Sequence, residues 1–239
     1  MGFVIKKTMA PLAIMLVVPL VIIAINWHWQ PESLNNTSKY FFFITETASF
    51  PWAIITSTIF FMVFCYSLPN KTKTKIIALW FCLVCTILGG QIVKTIIKSQ
   101  TAESRPYVLW MAKEFHLSDK QFYLLPKSEK QKIISEKLNN STTIPKWLSK
   151  HWQSETGYAL PSGHTLFSAT WAFLAITLLG FRRHYIIVNA IIVWALLIEI
   201  SRLALGMHSP IDLLLGITLA WIISLICYFY SRKWHIVDR

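Results

Sequence analysis

Three short stretches of the 239-residue chain carry residue types that can grip and cleave a phosphate ester. They are Lys98 with Arg105 and Pro106, then Pro161-Ser162-Gly163-His164, then Ser201 and Arg202 with His208 and Asp212. Lys98, Arg105 and Arg202 can neutralise a phosphate and the charge that spreads over its equatorial oxygens during transfer. Asp212 follows His208 by four residues, a spacing that lets the carboxylate accept from one ring nitrogen and leaves the other lone pair free to attack. Ser162 can donate to a phosphate oxygen, Gly163 admits close backbone approach, and His164 stands at the mouth of the apolar run that follows. If that run is helical, its free N–H groups and dipole favour an anion at the same place.

Each piece alone has an ordinary structural explanation. A Pro-Ser pair commonly opens a helix, a His-Asp pair at this spacing is more often structural, and basic residues at span ends snorkel to the interface, the reading preferred for Lys94. His164, His208 and Asp212 could instead hold a metal. Three nearby cations oppose a divalent ion, so no metal and no cofactor are expected.

The elements that must bring these stretches together are membrane spans. Hydrophobic residues make up 54% of the chain, charged residues 14%, and the mean hydropathy is +0.49. Those values lie outside the range of soluble domains. Six apolar stretches, at about residues 9–26, 51–68, 76–95, 164–181, 185–201 and 210–230, each roughly match a ~30 Å hydrocarbon layer. The expected fold class is an all-α membrane protein with six transmembrane helices and a helical periplasmic insertion between spans three and four. Residues 1–239 form one domain in this reading, with 98–161 as its cap.

The net charge of +12 comes from basic residues dispersed over span-flanking loops, not from one aromatic-interleaved patch, which argues against a nucleic-acid partner. Lys6, Lys7, Lys71, Lys73, Lys75, Arg182, Arg183, Arg232 and Lys233 fall on one side when six spans alternate. The positive-inside rule then places both termini in the cytoplasm and all three chemical stretches on the opposite face. The N-terminal run lacks a small-x-small cleavage site and reads as an uncleaved anchor. Cys65, Cys82, Cys85 and Cys227 lie inside apolar runs, where they pack as small hydrophobes.

Within the insertion, residues 127–140 have helix-compatible spacing, ending at Asn139-Asn140-Ser141. Trp147 and Trp152, interleaved with Lys146, Lys150 and His151, suit either a headgroup layer or a solvated helix with a packed tryptophan face. Trp27 and Trp29 read as interfacial belt anchors. Glu199 lies one turn inside the membrane from Arg202 and is expected to pair with it.

The motifs KxxxxxxRP, PSGH and SRxxxxxHxxxD resemble the three signatures of the type 2 phosphatidic acid phosphatase superfamily, and all eleven fixed residues match in order. The likeness covers about residues 94–216, and the six-span layout with the extended 147–165 segment is most like the bacterial phosphatidylglycerophosphatase branch. The resemblance implies that His208 is a nucleophile forming a phosphohistidine, with Asp212 orienting it. It implies that His164 protonates the leaving oxygen and then activates water, while Lys98, Arg105, Ser162, Gly163 and Arg202 hold the phosphate. Implied substrates are phosphatidylglycerol phosphate, phosphatidic and lysophosphatidic acids, diacylglycerol pyrophosphate and undecaprenyl pyrophosphate. Partners would be these lipid phosphates and the bilayer of a bacterial inner membrane, and a monomer suffices. One histidine must be neutral while the other is protonated, so a bell-shaped pH profile belonging to the coupled site is expected. The competing class is a lipid or ion transporter, but its charges would sit at midplane in interrupted helices. A catalytically dead lipid binder would lack a motif residue, and none is missing.

Overall fold

A computed structural model describes residues 2–68, 71–180, 184–234 and 236. Helices account for all the regular structure among them: α1 (Gly2–Ala24), α2 (Ser38–Glu46), α3 (Trp52–Ser67), α4 (Lys73–Thr101), α5 (Pro106–Glu114), α6 (Asp119–Leu124), α7 (Lys127–Leu138), α8 (Lys146–Ser154), α9 (Gly163–Leu174), α10 (Tyr185–Ala204) and α11 (Pro210–Lys233). A 3₁₀ turn at Pro31–Ser33 precedes α2, and a π-helical segment, Ala175–Gly180, prolongs α9. Arg182 and Arg183 lie outside the described residues.

Four apolar stretches, Gly2–Ala24, Lys73–Glu114, Tyr185–Ala204 and Pro210–Lys233, are long and apolar enough to cross a membrane. Trp52–Ser67 and Gly163–Leu179 are shorter apolar helices. α9 occupies the centre, packed on α10 and α11 and touching α4 and α1. Every residue from Thr165 to Leu174 is buried, as a helix surrounded by helices requires. The outer helices instead expose large apolar side chains such as Ile14, Val17, Ile54, Ile92 and Ile226, the surface a hydrocarbon solvent calls for. Cys65, Cys82, Cys85 and Cys227 are free thiols, with Cys82 and Cys227 buried.

The segment between α4 and α9 folds into four helices with a second apolar core. Tyr107, Val108, Met111, Ile134, Leu148 and Trp152 gather there with Trp29 from the first connection and Leu205 and Met207 from the α10–α11 turn. The charged run at 127–140 does form a helix, ending at Leu138. Trp152 is fully buried, stacks on Tyr107 at 4.6 Å and donates its indole N–H to Leu205 O at 3.0 Å. Trp29 is not a belt anchor: it is 7% exposed, lies edge-on to Trp110 and Trp152, and donates to Ala204 O at 3.0 Å. The two indoles satisfy carbonyls at the C-terminus of α10 that the helix cannot pair itself, and so pin the turn that follows.

That turn is tight. Met207 N and His208 N both donate to Arg202 O, and Gly206 takes φ +67° with Trp29 packed where a Cβ would be, 2.7 Å away. Only glycine meets both conditions, since a side chain there is strained by the backbone and blocked by the indole. The first connection contains α2, which packs along α10.

Candidate active site

The three motif stretches converge where α4, α9, α10 and α11 end beneath the cap. α4 is longer than its apolar run, 29 residues, so Lys98 stands on its last helical turn instead of beyond it. The helix stops at Ala102, in the left-handed region at φ 47°, and Arg105 is the N-cap residue of α5, with Pro106 at the first helical position. Lys98 Nζ donates to the Tyr158 and Ala159 carbonyls. Arg105 donates from Nε to Gly157 O at 2.7 Å, and its backbone N–H donates to the Tyr123 hydroxyl at 3.0 Å. The basic pair of the first motif therefore grips the backbone leading into the second.

Ser162 caps α9, accepting from Thr165 N, and its own N–H donates to Asp212 O at 3.1 Å. Gly216, one turn further along α11, lies so close that an added Cβ would stand 3.1 Å from Ser162 O. The starts of α9 and α11 are thus locked side by side. Ser209 caps α11 in a reciprocal capping box with Asp212, behind Pro210. One oxygen of Asp212, Oδ2, accepts from Ser209 N at 2.7 Å and from His208 Nδ1 at 3.1 Å. The expected His208–Asp212 pair is formed, and the proton it places on Nδ1 leaves the Nε2 lone pair unprotonated.

His208 is 2% exposed. Burial holds its pKa well below the ordinary 6.5, with the positive charges of Arg105, Arg202 and Lys98 acting in the same direction. The imidazole is therefore neutral at neutral pH. The same pressures mark the spot as a place for an anion.

Glu155 supplies a negative charge there. It follows α8 and was not singled out from the sequence. Its Oε2 accepts from Arg202 NH2 at 2.8 Å and from Arg105 NH1 at 3.1 Å, and its Oε1 lies 3.5 Å from His164 Nε2 and 3.7 Å from His151 Nε2. Burial alone would raise its pKa, but Arg202, His164 and Arg105 outweigh that and hold the carboxyl well below the usual range. Arg202 is fully buried, donates also to Thr45 Oγ1 at 2.8 Å, and keeps Nε without a hydrogen-bond partner among the described residues. That Nε–H is a charged donor of the kind that can bind an oxyanion. His164 Nε2 lies 2.9 Å from Ser49 Oγ, between α2 and α3.

Two expectations fail here. Glu199 does not pair with Arg202: neither of its carboxylate oxygens has a hydrogen-bond partner among the described residues, and the guanidinium is taken by Glu155 and Thr45. Their i to i+3 spacing supplied proximity, but stronger partners lie on α2 and α8. Lys94 does not snorkel away from the site. Its stem crosses Gly163, where an added Cβ would be 2.8 Å from Lys94 Cδ, and Nζ donates to Gln91 Oε1 at 2.5 Å. Gly163 makes room for that side chain. Among the described residues no group of three or more His, Cys, Asp or Glu side chains is placed to hold a metal ion.

A family model, the PAP2 superfamily, matches residues 79–236. Over 228 residues the chain is 37% identical to the phosphatidylglycerophosphatase B of Escherichia coli (strain K12), covering 95% of this chain and 89% of that protein. The same figures hold for the phosphatidylglycerophosphatase B of Shigella flexneri. The Haemophilus influenzae phosphatidylglycerophosphatase B is 36% identical over 222 residues, covering 90% of this chain and 91% of that one.

Proposed function

The chain belongs to the PAP2 superfamily, and we propose that it is a bacterial inner-membrane lipid phosphatase whose foremost substrate is phosphatidylglycerol phosphate. The observation that carries this reading is the buried His208, held through Nδ1 by Asp212 beside three cations and the capped start of α9. Such a neutral imidazole, in a site that favours negative charge, is suited to attack phosphorus.

The reaction runs in two steps. His208 Nε2 attacks the terminal phosphorus, forming a P–N bond as the P–O bond to the lipid breaks, and His164 gives its proton to the departing oxygen. Neutral His164 then takes a proton from water, whose oxygen attacks the phosphohistidine; the P–N bond breaks and inorganic phosphate leaves. Lys98, Arg105, Arg202, the Ser162 hydroxyl and the N–H groups near Gly163 hold the equatorial oxygens throughout. Asp212 stabilises the positive ring that forms on His208. No metal enters these steps.

Six helices cross the membrane in this reading, both termini are cytoplasmic, and the cap 98–161 covers the periplasmic mouth of a single domain. Lipid tails lie between the spans while the head reaches the cations. Phosphatidic and lysophosphatidic acids, diacylglycerol pyrophosphate and undecaprenyl pyrophosphate present the same terminal group, so the enzyme would serve phospholipid synthesis and recycling of the cell-wall lipid carrier. Phosphate release from a panel of these lipids by purified protein in detergent with EDTA tests the proposal. Release is expected from phosphatidylglycerol phosphate and is lost in His208→Ala; no release from any lipid would turn the reading towards binding or transport.

A further inference from the structure

His151 is nearly buried, its side chain 2% exposed, yet it belongs to none of the three motifs. It lies on α8, four residues before Glu155, with Phe42 edge-on to its ring at 5.4 Å. Nδ1 is 3.4 Å from Glu46 Oε1, at the last residue of α2. Nε2 is 3.4 Å from Arg202 NH1 in a hydrogen bond and 3.7 Å from Glu155 Oε1. The ring therefore touches a charged group from each of α2 and α10 as well as the carboxylate at the end of its own helix.

The partners fix the tautomer. A guanidinium nitrogen can only donate, so Nε2 must accept from Arg202, and the ring proton belongs on Nδ1, towards the Glu46 carboxylate. This repeats the logic of Asp212 and His208, a carboxylate choosing which nitrogen keeps the proton. Here the freed lone pair receives an N–H of Arg202 instead of attacking. Thr45, next to Glu46, accepts from the same NH1 at 2.8 Å, so the end of α2 and His151 together set the plane of the guanidinium. With both NH1 hydrogens given to these two and one NH2 hydrogen to Glu155, the Nε–H and the second NH2 hydrogen are the donors left for a phosphate oxygen.

We propose that His151, oriented by Glu46, is a positioning residue that holds Arg202 in the plane needed to grip the phosphate. The proposal deepens the phosphatase reading and rests on it. It also gives the cap a role in the chemistry: α8 and its C-cap residue carry, one turn apart, the residue that aims Arg202 and the carboxylate that neutralises it.

The alternative is a buried histidine that merely fills space beside Phe42. Two substitutions separate the cases. His151→Gln keeps an acceptor that reaches about as far as Nε2, whereas His151→Leu keeps bulk without one. Two measurements on the full chain in detergent read the result: kcat/KM for phosphatidic acid, and the affinity for inorganic phosphate by isothermal titration. His151→Leu is expected to lower kcat/KM about 10- to 100-fold, the usual effect of a small misplacement of a binding group, and to weaken phosphate binding in parallel. His151→Gln should stay within about threefold of wild type in both. Equal impairment of the two variants, or a His151→Leu protein with wild-type values, overturns the proposal. Should His151→Leu fail to fold, Glu46→Ala, at a part-exposed position, removes the tautomer lock without opening the cap core; phosphate affinity unchanged in that variant also overturns it. The titration needs no turnover. A wild-type protein that binds phosphate but cleaves no lipid would refute the phosphatase reading, and the Leu and Gln contrast in phosphate binding would still decide the role of His151.

Discussion

Replacing Asp212 by asparagine separates charge from shape at the centre of the site. Asp212 Oδ2 accepts from Ser209 N at 2.7 Å and from His208 Nδ1 at 3.1 Å. An asparagine oxygen can still accept at that position, so the capping box of α11 should weaken by no more than about 1 kcal/mol. The lost negative charge is a larger matter. In the proposed mechanism His208 takes the phosphoryl group and its ring becomes positive, and a carboxylate about 4 Å from that charge is worth about 4 kcal/mol at an effective dielectric constant of about 20. With the positive charge half developed in the transition state, the loss is about 2 kcal/mol, or about 30-fold in kcat, rising towards about 1,000-fold if development is nearly complete. The assay is phosphate release from phosphatidic acid in mixed micelles at fixed surface concentration, with the thermal midpoint followed by tryptophan fluorescence. A fall in kcat of less than about threefold in a folded variant would refute the electrostatic role of Asp212.

Other expectations follow from the same geometry. Glu155→Gln leaves Arg105 and Arg202 without their shared counter-charge, and breaking such a buried pair should cost about 3 to 5 kcal/mol of stability, read as a lowered denaturation midpoint together with reduced turnover. Wild-type values for both would show that the carboxylate is dispensable. Gly216→Ala pushes a Cβ to 3.1 Å from Ser162 O and should cost about 1 to 3 kcal/mol while lowering kcat, whereas Gly89→Ala, with nothing within 4 Å, should leave both unchanged. Because the folded pKa of His208 is depressed below 6.5, the group is neutral in folded and unfolded chains above that value. As pH falls below it, the unfolded chain binds a proton that the folded site refuses, so stability declines on the acid side. The acid limb of kcat/KM, which belongs to the coupled site and includes this depressed group, should accordingly lie below 6.5, and a limb centred at or above that value would contradict the assigned environment.

The chemistry of this chain is legible in the sequence because its residues sit at fixed spacings on helix ends. His208 and Asp212 are one turn apart, and Ser162 and Ser209 are both caps whose side chains accept from the first turn they open. The partners that hold these residues are not legible, because they come from remote segments. Glu155 is 50 residues from Arg105 and 47 from Arg202, and Thr45 is 157 residues from Arg202. Among the acidic residues of the insertion no local pattern distinguishes Glu155. Trp29 misled for a related reason: an aromatic after an apolar run fits an interfacial belt until the cap places a second core above it. Glu199 was assigned to Arg202 on helical spacing alone, where tertiary partners with better geometry take the guanidinium.

The central claim is that His208 carries the phosphoryl group, and trapping that intermediate tests it most directly. Wild-type protein mixed with lipid phosphate, quenched in alkali to preserve phosphohistidine, is digested and mapped by mass spectrometry. The account predicts a phosphoryl group on His208, absent from the His208→Ala protein, which should also release no phosphate. Phosphate release at the wild-type rate by His208→Ala, or an adduct on a different residue, would contradict it.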